Sequence, residues 1–379
     1  MILACCFAVG FGTTSEDAKG TIDVLTPGGR WVRATAGDDG VIRSPDGLDV
    51  GSTALAWTLV SGESPDSIRS VSSMTILSDG QVIVGTFSGF HRAETGTIAR
   101  WKHPNLGLID IPVERTRFIQ LQPIAALPPE GETDELVLRN GDRIRGFIET
   151  FADPIVIESD GTKREIPIER VAGLSLISAS TPATGIRAWL KDGSVIEGSS
   201  ISGGFQGAFV INGIPLVVDR AALPLELDDI DCVTMAPKRI LTLATLDPVV
   251  SEPTTTAFPR AEYPTPKLRP SSGSLGAASI EIRGPERLIY KIPQGFSVLS
   301  AQAEIPPSLR AWADCTIVLR QNGQELARYA LTTKDFRAEI SVTILPGPLE
   351  IEIEEASGGP IGDTVLLRRA ILIAVDRDG

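Results

Sequence analysis

The chain has 379 residues, a formal net charge of −13 and a hydrophobic content of 42%. That much apolar sequence excludes global disorder and suffices for more than one buried core. The acidic balance argues against nucleic-acid partners, which need a basic face, and against adhesion to an anionic membrane surface; it is also what keeps an ordinary protein soluble.

Met1 to Gly12 is apolar throughout and gives way to polar and acidic residues. This signal-like segment (1–12) is too short to cross a bilayer as a helix, so no membrane span is expected from it. It reads as the apolar core of a secretory signal, with Ala8 and Gly10 as small residues at cleavage spacing, although no Lys or Arg precedes it. Ile2-Leu3-Ala4-Cys5 also fits a bacterial lipoprotein box, with Cys5 as the lipidated residue. The plain alternative is a short apolar strand. Export implies a secreted, periplasmic or cell-envelope location in a bacterium.

Beyond Gly20 the pattern is β. A degenerate β unit (20–68) contains the strand-like runs Thr21–Leu25, Trp31–Ala34 and Ala54–Val60, broken by Pro-Gly-Gly, Asp-Asp-Gly and Pro-Asp-Gly turns. Three clearer copies follow, at 74–122, 134–178 and 185–236. Each carries an apolar residue, a polar-Gly turn and a second Gly five positions after the first: Leu77, Gly80 and Gly85; Leu138, Gly141 and Gly146; Leu190, Gly193 and Gly198. Asn140-Gly141 is a strong hairpin signal, because both residues tolerate positive φ. A second shared block closes each copy: Ile111-Pro-Val-Glu-Arg115, Ile166-Pro-Ile-Glu-Arg170 and Leu216-Val-Val-Asp-Arg220. Its acid-Arg pairs read as a polar corner between strands, with an ion pair across a tight turn, or as a ligand contact. Four or five short strands in such a unit curl into a small bent barrel, and their order resembles Sm-like small β-barrels.

His91 and His103 both fall in the middle of the first copy, where they read as solvated loop histidines rather than a site. Cys232 and Cys315 have no C-x-x-C spacing; two buried thiols or one disulfide are the choices. The acidic run ending Asp229-Ile230-Asp231 lacks the alternating ligands and Gly of a calcium loop. The Gly-rich stretch Ser202–Gly207 opens no helix and so offers no phosphate cradle. No metal and no cofactor are expected.

Residues 246–274 are rich in Pro, Ser and Thr and read as an extended linker or strap. From 275 to 379, eight short strands and the Asn322-Gly323 hairpin turn predict a two-sheet sandwich. Leu349, Ile351 and Ile353 should face its core, leaving Glu350, Glu352 and Glu354 on a wet face or at a cation site. The fold class is therefore all-β: tandem small β-barrel-like repeats followed by a jelly-roll β-sandwich.

The C-terminal third resembles the NPCBM family of carbohydrate-binding modules, which are often attached to glycoside hydrolases. The resemblance is carried by the strand Glu286–Pro293 with Tyr290, by Ala303–Pro306, by the hairpin Cys315–Leu326 and by Leu349–Ile353 followed by Asp363–Leu372. It implies a galactose-binding-like jelly roll and a polysaccharide or glycan ligand. The chain departs from the family by lacking a His in Ile282–Glu286 and by having Val365 or Leu366 where the family closes with Trp. Gly-turn repeats ahead of such a module also resemble an arrangement in secreted proteins of planctomycete-type bacteria.

Sugar recognition on β-modules uses aromatic rings that stack on pyranose faces. The candidate ligand-binding residues are Trp312, Tyr290 and Tyr329, with Trp312 alternatively a loop anchor over the core edge. No catalytic residue is singled out: no G-x-S-x-G, H-E-x-x-H or P-loop is present, and no carboxylate pair stands out by spacing. The expectation is a non-enzymatic binder. A scaffold that contacts another envelope protein is the alternative, and a cryptic glycoside hydrolase is the third reading.

Overall fold

The computed structural model describes residues 21–36, 42–51, 53–59, 73–94, 96–124, 132–203, 208–213, 222–226, 229–254, 266–269, 275, 278–355 and 363–374. The signal-like segment, the block Leu216–Arg220 and the middle of the Pro-rich stretch lie outside the described residues. The described chain is nearly all β, and it divides into two compact units: Ser67–Asp231, and a discontinuous one formed by Thr13–Asp66 with Cys232–Gly379.

The first unit holds the Gly-turn copies, and their shared wiring explains the repeated sequence. The first Gly of each copy has a positive φ, +80° at Gly80, +89° at Gly141 and +94° at Gly193, which an L side chain resists. Its N–H donates to the carbonyl of the apolar residue before the turn, Leu77, Leu138 or Leu190, at 2.9–3.0 Å. The second Gly has a different role. It stands where a long strand leaves one partner for another: Gly146 is the last residue of Arg143–Thr150 to pair with Asp134–Leu138, and Phe147 is the first to pair with Ile155–Ser159. A Cβ there would run into the Glu158 carbonyl oxygen. At Gly85 it would meet the Lys102 oxygen at 2.6 Å, and at Gly198 the Asn212 oxygen at 2.8 Å. Glycine thus lets the strand bend sharply against its neighbour's backbone.

The closing corner is conserved in backbone, not charge. Val113–Arg115 and Ile168–Arg170 are single 3-10 turns after Pro112 and Pro167. The carbonyls of Arg115 and Arg170 accept from the turn N–H of Ser78 and Arg139 at 2.9 Å. Arg115 reaches a carboxylate, Asp79 at 3.4 Å, whereas Glu169 and Arg170 are exposed. In the third copy the Lys191 N–H donates at 2.9 Å to the carbonyl of Asp229. The acid-Arg block of the third copy, Leu216–Arg220, lies outside the described residues, so this contact at Asp229 is the part of the third corner that is described.

Copies also pair with one another. Thr116–Gln120 of the first runs antiparallel to Val171–Ser175 of the second, and Val82 of the first pairs with Val195 of the third. The first copy is thereby flanked by the second on one side and the third on the other, which covers both of its edges.

In the second unit, two antiparallel sheets enclose one core. One contains Lys267–Arg269, Ser279–Arg283, Thr364–Ala374, Phe296–Glu304 and Arg337–Thr343 in that order, with Ile240–Thr242 beside Thr364–Ala374. The other runs Val250–Pro253, Glu286–Ile292, Gly347–Glu355, Asp314–Gln321, Gln324–Thr332. Val250–Pro253 and Lys267–Arg269, from the Pro-rich stretch, are thus edge strands of the sandwich. Period-two alternation puts Leu288, Tyr290, Ile317, Leu319, Leu349, Ile351, Ile353, Val365 and Leu367 inside. Cys315 joins them, and burial first, then Asp363 and Asp314, push its thiol up to about 12. Cys232 and Cys315 are both buried and no disulfide joins them.

The N-terminal strands complete this unit. Thr21–Leu25 pairs with Trp31–Ala36 through the Gly29 turn (φ +78°) and with Ala56–Leu59, which continues onto Cys232–Thr234. The tip of that turn lies on the sandwich: Ser341 Oγ donates to the Gly28 carbonyl at 2.9 Å.

Candidate functional site

The three aromatic candidates do not form one surface. Tyr290 is 1% exposed, its ring within the sandwich core, where burial pushes the phenol far up. It has no face to offer a sugar, and this part of the expectation is corrected: inward alternation along Glu286–Ile292 decides its direction. Tyr329 is half-buried on the edge strand Gln324–Thr332, opposite Ile317, with its ring packed on the same core. Trp312 is different. It ends the 3-10 segment Pro307–Trp312, before the strand Asp314–Gln321, and is 61% exposed. An indole that open does not plug a core edge.

What presents Trp312 is legible in the local contacts. Pro306 and Pro307 set the entry to the 3-10 turn, and Leu309 N donates to the Pro306 carbonyl at 2.9 Å. Arg310, two residues before Trp312, lays its guanidinium 3.9 Å over the Phe336 ring and donates from Nη2 to Glu304 at 2.6 Å. Ile305 N donates to the Phe336 carbonyl at 2.9 Å, tying the same segment down. The platform is fixed from below while its indole stays wet.

Sequence reasoning missed the group underneath. Glu304, only 4% exposed, receives three guanidinium groups: Arg310, Arg337 at 3.2 Å and Arg368 at 3.0 Å. Arg310 comes from the 3-10 segment six residues on, whereas Arg337 and Arg368 come from distant strands that register brings alongside. The outward carboxylates Glu350, Glu352 and Glu354 form a ladder with arginines. Arg320 reaches Glu350 at 3.3 Å and Glu354 at 2.7 Å and also contacts Glu352, and Arg328 bridges Glu325 to Glu354. Hydrogen bonding from Arg328 holds Glu354 below the usual carboxylate range. Among the described residues, no group of three or more His, Cys, Asp and Glu is placed to hold a metal.

His91 is exposed, but His103 is 1% exposed, which corrects its reading as a solvated loop residue. Its Nδ1 accepts from the backbone N–H of Asn105 (3.0 Å) and Leu106 (3.2 Å), so the proton of the neutral ring sits on Nε2. Nε2 lies 3.0 Å from Ser194 Oγ and 3.1 Å from Asp192 Oδ2 in the third copy. Burial works to raise the Asp192 carboxyl, yet the imidazole and the Ser194 N–H hold it below its ordinary range. Ser, His and Asp meet here without the wiring of a nucleophilic triad, in which the acid orients one ring nitrogen and the serine uses the other. Ser194 is fully buried. The cluster locks the first copy to the third.

No family model matches the chain, and no curated protein does. Among solved structures, the chain is similar to CBM51, a carbohydrate-binding module, from Clostridium perfringens GH95 in complex with methyl-galactose. Identity is 9% and the TM-score 0.29, over 35% of this chain and 99% of that one. It is also similar to the tandem CBM51 modules of Sp3GH98, a family 98 glycoside hydrolase from Streptococcus pneumoniae, with 11% identity, TM-score 0.27, and 80% and 88% coverage. A third is the M60 catalytic domain with CBM51-1 and CBM51-2 from Clostridium perfringens ZmpB, with 8% identity and TM-score 0.28. The match covers 94% of this chain but 43% of that one. Likenesses this loose carry no argument about function. No described helix is long and apolar enough to cross a membrane.

Proposed function

We propose that this chain is an exported, non-catalytic bacterial protein whose C-terminal sandwich, an NPCBM-like module, binds glycan with Trp312 as its stacking platform. The observation that carries the reading is the 61% exposed indole of Trp312 on a segment clamped by Arg310 to Phe336 and Glu304. A rigid aromatic presents a sugar-sized apolar face at low entropic cost. Affinity electrophoresis of the whole chain against a panel of polysaccharides tests it. Retardation on at least one, lost in Trp312→Ala, is the expected result; no retardation on any would overturn it. Release of reducing ends from the bound polysaccharide would overturn the non-catalytic part.

A second reading, a scaffold that contacts another envelope protein, is favoured by the repeats. Their strands carry Phe147 and Leu108, 65% and 59% exposed, where a soluble surface would place polar residues. Cross-linking in envelope extract with wild type and Phe147→Ser distinguishes it: a partner captured by the first and lost by the second supports this role.

A further inference from the structure

Glu304 closes the strand Phe296–Glu304 on the outer face of the six-stranded sheet. Arg337 stands directly opposite it in the ladder, and Arg368, paired with Gln302, stands diagonal to it on the other side. Arg310 arrives from the segment that carries Trp312. One carboxylate offers about four acceptor sites and three guanidinium groups offer about fifteen donors. Glu304 is thus oversubscribed: Arg368 Nε lies 3.0 Å away yet makes no hydrogen bond, and two positive charges remain after Glu304 is counted against the three arginines. Arg337 keeps half of its side chain in solvent and Arg310 about a third. The exposed carboxylates nearest in sequence are Asp335 and Glu339, and Glu339 is engaged by Gln302.

Planar guanidinium forks match a carboxylate in two parallel hydrogen bonds, which a neutral hydroxyl cannot reproduce. We infer that this cluster selects carboxylated sugars: a uronate-bearing glycan whose ring stacks on Trp312 and whose carboxylate meets Arg310 and Arg337. Glu304 is then a positioning residue that holds the guanidinium groups in register. The inference rests on the glycan reading above. It also runs against the whole-chain electrostatics, because a net charge of −13 repels polyanions; any preference for an acidic chain must come from a local site.

The test is affinity electrophoresis and titration of the whole chain with polygalacturonate, alginate and glucuronoxylan against galactan, mannan and neutral arabinoxylan. At least one acidic chain should bind about tenfold tighter than any neutral one in 50 mM salt, with the gap narrowing at higher salt. Arg337→Gln should lose that gap while its melting curve matches wild type. Glu325→Gln, on the other sheet, should keep it. Equal binding of acidic and neutral chains, still dependent on Trp312, sinks the acid preference and leaves glycan binding standing. Failure to bind any chain sinks both. Arg337→Gln with an unchanged gap removes the arginine cluster from the explanation and overturns the inference.

Discussion

Arg369 holds its guanidinium 4.6 Å over the ring of Trp31, and the same group reaches Asp23 at 3.3 Å. The N-terminal hairpin is thereby fastened to the last strand of the sandwich. Arg369 itself sits in a left-handed conformation, φ +49°, at a bulge of Thr364–Ala374 where the pairing with Phe296–Glu304 shifts register. A non-glycine residue in that conformation costs about 1 kcal/mol or more, so the contacts must outweigh the strain.

Arg369→Ala should therefore destabilise the second unit by about 1–2 kcal/mol, from the lost stack and the lost partly buried ion pair. Arg369→Gly loses the same contacts but relieves the backbone and should fall about 1 kcal/mol closer to wild type. Urea unfolding followed by tryptophan fluorescence measures both. An alanine variant as stable as wild type would show that the stack contributes nothing.

The two glycines of each repeat should respond differently to substitution. At Gly141 a Cβ would meet nothing within 4 Å, so Gly141→Ala costs only the positive φ, about 1 kcal/mol. At Gly146 the φ is ordinary but the Cβ runs into the Glu158 carbonyl, so Gly146→Ala should cost about 3 kcal/mol. Denaturant midpoints of the two variants give the order, and a reversed order contradicts the bent-strand account.

Glu197 links acidity to the stability of the first unit. It is buried, which on its own raises a carboxyl, but N–H groups of Thr184 and Gly185, the Thr184 hydroxyl and Arg187 hold it below the usual carboxylate range. A carboxylate depressed in the folded state stabilises above its unfolded pKa and loses that contribution as pH falls through the folded one. Stability should hold from pH 7 to about 5 and decline below about pH 4.5. Glu197→Gln should be weaker by about 3 kcal/mol at pH 7, because Arg187 is left buried without its partner, and flatter below pH 4.5. Identical pH profiles for the two proteins would remove Glu197 from this role.

His103 predicts a contrast between isosteres. Asn can replace the Nδ1 acceptor that caps two backbone N–H groups, whereas Gln reaches only toward Ser194. His103→Asn should cost about 1 kcal/mol and His103→Gln about 3, since unsatisfied buried donors are the larger penalty. Equilibrium unfolding that ranks Gln as the milder change would place the importance on the Ser194 contact instead.

The all-β class and the sandwich were legible because alternation and Gly turns are local signals. Leu349, Ile351 and Ile353 are inside and Glu350, Glu352 and Glu354 outside, as period two requires. What failed was non-local. Tyr290 was offered as a sugar platform because its direction depends on which face of Glu286–Ile292 meets the other sheet. His103 was read as wet because nothing local announces Ser194 and Asp192 across the copies. The Glu304 cluster was invisible for the same reason: Arg337 and Arg368 join Arg310 at Glu304 only through strand register.

The sandwich unit is made from both ends of the chain, since Ala56–Leu59 pairs with Cys232–Thr234 across the whole stretch of repeats. During synthesis the first strands therefore emerge long before their partner. At about 5–20 residues per second, the intervening stretch takes on the order of 10–35 s to leave the ribosome. Through that interval Ala56–Leu59 carries an unpaired edge, Thr21–Leu25 being flanked by Trp31–Ala36 and Ala56–Leu59 themselves, while the repeats, whose pairings are mostly short-range, fold as they appear. Nascent-chain proteolysis should find the repeats protected first, with the amino terminus sealed only after the carboxyl-terminal third has been made.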